Sequence, residues 1–456
     1  MVFSSRFKWP HKQNSPILGD TLISTHTTDI HDNIVIFQSQ KLSPLSSHAS
    51  LMRVFDKEPF LCLLFLSSLP CAPASNASST QKLEVEQILK NLNKPAVKSI
   101  QSPDGDIIDC VDILKQPAFD HPKLKNHKIR MRPSSYPEGT IMEESNNVSS
   151  KSAPIPQLWH QNGTCPGGTI PIRRTREEDI LRASSVQQFG KKNPKNIPPT
   201  APNVGHEYAI AFTRGDRYYG ASATMNVWKP NVQQNDEFSI SQMWVVNNDD
   251  SQNLNTIEAG WMVSPELFGD YRTRLFTYWT TDSYRDTGCY NLLCSGFVQL
   301  NAGVAVGSTI WPLSSYGNAK SQYEIKILIW KDKLNGDWWM QYGADKVMGY
   351  WPSSIFTHLS DGASLMEWGG EIINSESNGQ HTRTQMGSGH FPREGYGKAS
   401  YFNNIKIVDG KNQLVRPTNI TPYSDNSNCY SIQTGSSRRL GTFFYYGGPG
   451  RNPSCP

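Results

Sequence analysis

Two stretches of the sequence combine the apolar pattern of a buried strand with acidic residues. Ser364–Ile373 reads Ser-Leu-Met-Glu-Trp-Gly-Gly-Glu-Ile-Ile and carries Glu367 and Glu371; Thr256–Val263 reads Thr-Ile-Glu-Ala-Gly-Trp-Met-Val and carries Glu258. An acid inside an apolar strand costs free energy unless something there needs it. Side chains alternate faces along a strand. One face of the earlier stretch is Thr256, Glu258, Gly260 and Met262, and its opposite, Ile257, Ala259, Trp261 and Val263, reads as core. In the later stretch Leu365, Glu367, Gly369, Glu371 and Ile373 share a face. Each time the carboxylates lie beside a glycine, which leaves room for a ligand. Carboxylates brought together share a proton, so one serves as base and the other as acid. Periodicity does not choose between Glu367 and Glu371, and a bulge at Gly369-Gly370 would re-aim Glu367. A symmetric hairpin centred near Asp250 would set Gln242 opposite Glu258, where its carboxamide could orient water or an oxyanion.

These strands need a scaffold. Beyond His206 short alternating runs recur: His206–Thr213, Gly220–Val227, Phe238–Val246, Thr256–Val263, Arg274–Trp279, Gly296–Leu300, Tyr323–Asp332, Trp338–Tyr342, Lys346–Trp351, Leu365–Ile373, Ala399–Val408 and Gly441–Tyr446. Gly, Asn, Asp and Pro separate them, and no long amphipathic helix intervenes. This predicts an all-β domain over 204–456, an antiparallel two-sheet β-sandwich. Before it, 75–190 reads as a small mixed α/β segment. A helix over Gln81–Asn93 is followed by a hairpin of Lys98–Ile100 and Ile107–Val111, and a loop-rich Arg130–Pro171. Thr175 with Glu178 then forms a capping box for a short helix through Ala183. The Pro- and Lys-rich 191–203 reads as an extended, protease-accessible linker, and the Lys and Arg clusters around it as solvated surface.

A net charge of +4 spread along 456 residues gives no case for a nucleic-acid partner. Phe60–Leu69, after Met52-Arg53 and before Ala72-Pro73-Ala74, has the pattern of a secretory signal over 52–74, leaving no membrane segment after its removal. Met1–Leu51 then reads as a spurious upstream extension. Secretion fits the six cysteines left after the signal, an even number suited to disulfides. Cys289 and Cys294 would close a tight loop, Cys429 and Cys455 would tie down the tail, and Cys110 would be left with Cys165, although spacing alone leaves the connectivity open. Sequons at Asn147, Asn162 and Asn419 fit a glycosylated chain, while Asn76 lies too near the signal to count. His381 and His390 belong to no H-E-x-x-H or G-x-S-x-G pattern, so neither a metal nor a cofactor is expected.

The chain resembles the neprosin family of secreted plant peptidases. The likeness rests on Asp109–Pro122, Cys165–Arg174, Thr256–Trp261, Gly288–Cys294, Glu367–Glu371, Gln385–Pro392 and Tyr445–Pro449, in that order. It implies a zymogen whose N-terminal activation segment is released at acid pH, and a β-sandwich glutamic peptidase cutting after proline. It also implies Glu258 and Glu371 as the catalytic pair, Glu367 as a supporting neighbour, and disulfides Cys289–Cys294 and Cys429–Cys455. The expected product is a secreted monomer acting on proline-containing peptides. Trp279, Tyr350 and Trp351 are candidates for an apolar proline pocket. Two rivals share the pattern: a glycoside hydrolase using the same carboxylate pair, and an inactive extracellular binding protein.

Overall fold

Strand-forming patterns in this sequence pair into three antiparallel sheets. The computed structural model describes residues 75–140, 157–192, 205–250, 253–376 and 379–456. The readings of a signal, of an upstream extension and of Asn147 lie outside these residues, as does the linker beyond Lys192. A helix over Ser75–Leu92 precedes β1 (Ala96–Gln101), β2 (Ile107–Asp112) and β3 (Thr169–Arg173), which form a three-stranded sheet. A short helix, Glu177–Arg182, follows. Its first turn is closed by Arg176 N–H donating to Asp179, one residue later than the Thr175/Glu178 box foresaw, because Thr175 N–H is taken by Asn93.

The sandwich is built from β4 (Gly205–Tyr218), β5 (Gly220–Asn226), β6 (Ser239–Asn247), β7 (Asn255–Val263), β8 (Arg274–Thr280) and β9 (Val298–Gln299). It continues with β10 (Glu324–Lys331), β11 (Trp338–Tyr342), β12 (Lys346–Trp351), β13 (Ala363–Asn374), β14 (Ser400–Val408), β15 (Leu414–Val415), β16 (Thr421–Ser424), β17 (Ser431–Ser437) and β18 (Gly441–Gly447). One sheet has six strands in the order β16-β4-β13-β6-β7-β8. The other has nine, β17-β18-β14-β5-β10-β11-β12-β9, with β15 beside β14. All twelve runs read from the sequence are strands. β3, β15, β16 and β17 were not foreseen, for a common reason: each is an edge strand, paired on one side only. An edge tolerates Pro171 and Pro422 and does not require an apolar face.

Each main sheet turns one face inward. Met243, Ile257, Trp261, Met366 and Trp368 of one meet Ile327, Ile329, Trp338, Met340 and Phe402 of the other in a single core. Burial of such side chains stabilises by roughly 1.5–3 kcal/mol each. The N-terminal segment covers both outer faces. Val85, Ile180, Val186 and Phe189 pack on Phe238, Ile240, Met262 and Phe276 of the six-stranded sheet. Ala118, Phe119 and Ile129 pack on Val298, Leu328, Trp330 and Tyr350 of the nine-stranded one. Disulfides join Cys110–Cys165, Cys289–Cys294 and Cys429–Cys455. Asn162 and Asn419 are exposed. No helix among the described residues is long and apolar enough to cross a membrane.

Candidate active site

Strand register brings the carboxylates together across β7, β6 and β13. Glu258 lies opposite Trp244, and Trp244 opposite Glu367. The next row on the same face is Gly260, Gln242 and Gly369, and the next is Met262, Ile240 and Glu371. The two acids thus stand on either side of a row whose ends are glycines. A Cβ at Gly260 would come 2.0 Å from Ser241 O, and one at Gly369 2.3 Å from Ala209 O, so no larger residue fits either position. β13 pairs without interruption from Leu365 to Ile372 on both sides, and the bulge considered at Gly369-Gly370 does not occur. Gln242 faces Gly260, not Glu258, because the hairpin is centred one residue later than expected. A two-residue offset keeps it on the same face, and its Nε2 donates to Glu371 Oε2 at 2.6 Å.

Both acids are fully buried and fully bonded. Glu258 Oε1 accepts from Thr256 Oγ1 (3.0 Å) and from Tyr284 Oη (2.7 Å). Glu371 Oε1 accepts from Tyr208 Oη (3.3 Å) and lies 2.5 Å from His206 Nδ1. Burial, reinforced by these anions, holds the Tyr208 and Tyr284 hydroxyls far above the usual phenol range, so both remain donors. Between the acids sits a cation. Lys192 Nζ is 2.6 Å from Glu258 Oε2 and 3.3 Å from Glu371 Oε2, with the Tyr278 and Tyr284 rings each 5.5 Å away. Its chain is seated by Tyr290 N–H donating to Gly190 O (2.8 Å) and by its own N–H donating to Tyr278 Oη (3.2 Å). Burial alone would raise the Glu371 carboxyl; Lys192 and His206 outweigh it and pull it down to about 2. Glu367 has no such cation. Burial first, then repulsion from Glu258 and Glu371, raises it to about 8.

Lys192 was missed. Its neighbourhood of Lys and Pro reads as solvated linker, and only its place just behind the last helical turn of the N-terminal segment hinted otherwise. Trp279, Tyr350 and Trp351 are not brought to the carboxylates. Strand alternation turns Trp279 and Trp351 into the inter-sheet core. Tyr350 lies on the outer face of the other sheet. Residues on the carboxylate face that the sequence reading did not single out are His206, Tyr208, Tyr278 and Tyr284.

Residues 235–449 match the family model described as Neprosin, and residues 99–212 match the Neprosin activation peptide. The chain belongs to the neprosin family. Its activation-peptide match runs into β4, so the segment covering both sheets, Lys192 included, falls within or just ahead of the region the two models span. Among solved structures, the chain is similar to scytalido-glutamic peptidase with a peptide-based transition-state analogue. That match has 12% identity over 54% of this chain and 100% of that one, with a TM-score of 0.29. It is also similar to SCP-B, a member of the eqolisin family of peptidases, in complex with the tripeptide Ala-Ile-His. Here identity is 10% over 54% of this chain and 98% of that one, with a TM-score of 0.30.

Proposed function

We propose that this neprosin-family chain is the precursor of a secreted glutamic endopeptidase that cuts after proline at acid pH, with Glu258 and Glu371 as its dyad. The observation that carries the proposal is that one ammonium reaches both buried carboxylates across the row between them. In the precursor Lys192 occupies the place where water and a scissile carbonyl would stand, which keeps the enzyme latent. Acid weakens this arrangement. A carboxyl held at about 2 against an ordinary 4.5 stabilises the latent form fully above pH 4.5. That contribution is lost as pH falls toward 2.

Once Lys192 leaves, the two carboxylates face each other without the ammonium between them and share one proton. Glu371 has three remaining donors, from Gln242, His206 and Tyr208, against two for Glu258, so Glu371 is the better-stabilised anion and serves as base. It takes a proton from water as the oxygen attacks the scissile carbonyl carbon. Glu258, protonated, donates to the carbonyl oxygen. As the C–N bond breaks, the proton held by Glu371 passes to the leaving nitrogen and Glu258 takes back a hydroxyl proton from the diol, giving carboxylic acid and amine with the dyad restored. The rate profile is bell-shaped and acidic, with limbs that belong to the pair. Proline would lie on the apolar part of the same face, around Ile240, Met262 and Phe276, uncovered when Val186 and Phe189 depart.

The test is acid incubation of the secreted precursor, wild type and Glu258→Gln, with a proline-containing peptide and with a glycan. Wild type is expected to process itself and cleave after proline, and Glu258→Gln to do neither. Glycan release without peptide cleavage would overturn the peptidase reading, and undiminished cleavage by Glu258→Gln would overturn the dyad.

A further inference from the structure

The outer face of the nine-stranded sheet carries an aromatic row that the chemistry above does not use. Directly opposite residues run across adjacent strands: Gly220 pairs with Trp330, Trp330 with Trp339, Trp339 with Tyr350 and Tyr350 with Val298. The Trp330 and Trp339 rings stack at 6.4 Å, and Trp339 and Tyr350 lie 4.6 Å apart. All three are fully buried, and Ala118, Phe119 and Ile129 of the activation segment pack against them. Over residues 127–138 that segment has neither helix nor strand of its own, contains Pro133 and Pro137, and carries Lys128, Arg130 and Arg132.

Its mode of attachment is specific. The Tyr136 ring stacks on Trp330 at 5.2 Å, while Trp330 Nε1 donates to Ser135 O at 3.0 Å. Tyr350 Oη accepts Arg130 N–H at 3.0 Å, and the Arg130 guanidinium pairs with Asp337 at 2.7 Å. Asp332 accepts Ser134 N–H at 2.6 Å. Indole and phenol groups bonding the backbone of an extended, proline-containing chain while their rings pack on it is how aromatic grooves recognise such chains. Trp339 Nε1, in the middle of the row, is buried and makes no hydrogen bond, a donor left over for another backbone carbonyl.

Release of the activation segment would uncover three large aromatic rings of about 150–250 Å² each. A contiguous patch of that size, rimmed by Asp332 and Asp337, marks an interaction site on a protein surface. We propose that in the processed enzyme this row is a docking site for extended, proline-containing basic polypeptide, the same chemistry as the segment that covers it in the precursor. The proposal rests on the reading of the chain as a zymogen whose segment departs. The row lies on the opposite outer face of the sandwich from the carboxylates, so only a long substrate can occupy both, and docking raises the local concentration of such a substrate at the dyad.

The test uses acid-processed wild-type enzyme with a short peptide substrate and a long proline-rich protein, with and without a synthetic peptide of residues 127–138 carrying Pro133→Ala and Pro137→Ala, which remove the bonds the dyad would cut. The peptide is expected to quench tryptophan fluorescence on binding and to raise KM for the protein about tenfold, leaving kcat and the short-substrate KM unchanged. Trp339→Leu is expected to raise KM for the protein alone; should that variant not fold, the wild-type competition still decides. An equal effect on both substrates, absence of peptide binding, a catalytic fragment that retains the 117–138 stretch, or one that dimerises through this face would each overturn docking. If neither substrate is cleaved, the peptidase reading fails, and the fluorescence titration alone then decides whether the row binds such a peptide.

Discussion

Both sheets turn one face onto a shared apolar core and the other toward the activation segment, yet the two covered faces are built on opposite terms. The face of the six-stranded sheet buries charge: Glu258, Glu371 and Lys192 are held by a close-fitting set of donors, with glycines where the strand backbones approach too closely for a side chain. The face of the nine-stranded sheet buries area: a stacked aromatic row with carboxylates at its rim. Buried charge is unforgiving, because removing one partner leaves the other uncompensated, whereas apolar contact degrades gradually. The activation segment therefore holds the carboxylate face through a contact that pH can break, and the aromatic face through one that pH touches only at its edge.

The largest effect should come from the dyad itself. Glu371→Gln or Glu258→Gln, with the linker cut by an added protease to bypass self-processing, is expected to lose about 10²–10⁴-fold in kcat, the range for a positioned acid or base. Glu371→Gln is expected to lose more, as the loss of the base. An equal loss at both positions would remove the asymmetry that the donor count suggests.

Next comes the cation. Lys192→Met removes the ammonium shared by two buried acids, a change that destabilises by about 3–5 kcal/mol when one partner of a buried pair is removed. The sign follows from Glu371: without Lys192 its carboxyl is no longer pulled down to about 2, so it takes up a proton at higher pH. The midpoint of processing, read by gel shift against pH, should move upward, by less than the full return to an ordinary carboxyl because His206 stays beside Glu371. An unchanged midpoint would mean that latency does not reside in this contact.

A third site grips the segment on the same face, away from the dyad. Arg274, fully buried on β8, pairs with Asp106 of the segment at 2.6 Å and with Asp270 at 2.6 Å, while Arg173 holds the other Asp106 oxygen at 2.9 Å. Asp106→Asn is expected to weaken retention of the cut segment by about 1.5–3 kcal/mol, the range for hydrogen bonds to charged groups, because Arg274 keeps Asp270. Co-elution of segment and catalytic part after nicking at neutral pH measures it. The processed enzyme should have unchanged kcat.

Much of this was legible in the sequence, unevenly. Face alternation set Glu258 with Gly260, and Gly369 with Glu371, each pair on one face of its own strand, since a period of two survives any pairing; that the two faces form one surface came from the register. The hairpin register was off by two residues, which preserved the face of Gln242 and changed its partner. The edge strands β16 and β17 were silent because an edge need not be apolar. Trp279 and Trp351 went astray because an aromatic looks the same in a cleft and a core; only the partner strand tells them apart. Lys192 was illegible for a deeper reason. A lysine's role between two carboxylates is fixed by tertiary approach, and local composition argued for solvent.

Glu367 offers the finest test of the charged face. It shares a row with Glu258 but touches no cation, and its carboxyl is raised to about 8 against an ordinary 4.5. A raised acid binds its proton more tightly in the folded chain than in the unfolded one, so stability falls as pH climbs from 4.5 to 8 and is unaffected by this group below 4.5. Glu367→Gln mimics the protonated form. The variant should therefore match wild type in thermal unfolding near pH 4, and be the more stable of the two near pH 8. At acid pH, where Glu367 is already neutral, its activity should stay within about threefold of wild type, since a neutral carboxamide preserves the local packing and hydrogen-bonding capacity. A large loss of activity at acid pH would instead make Glu367 a proton donor in the reaction, and the site a carboxylate triad rather than a pair.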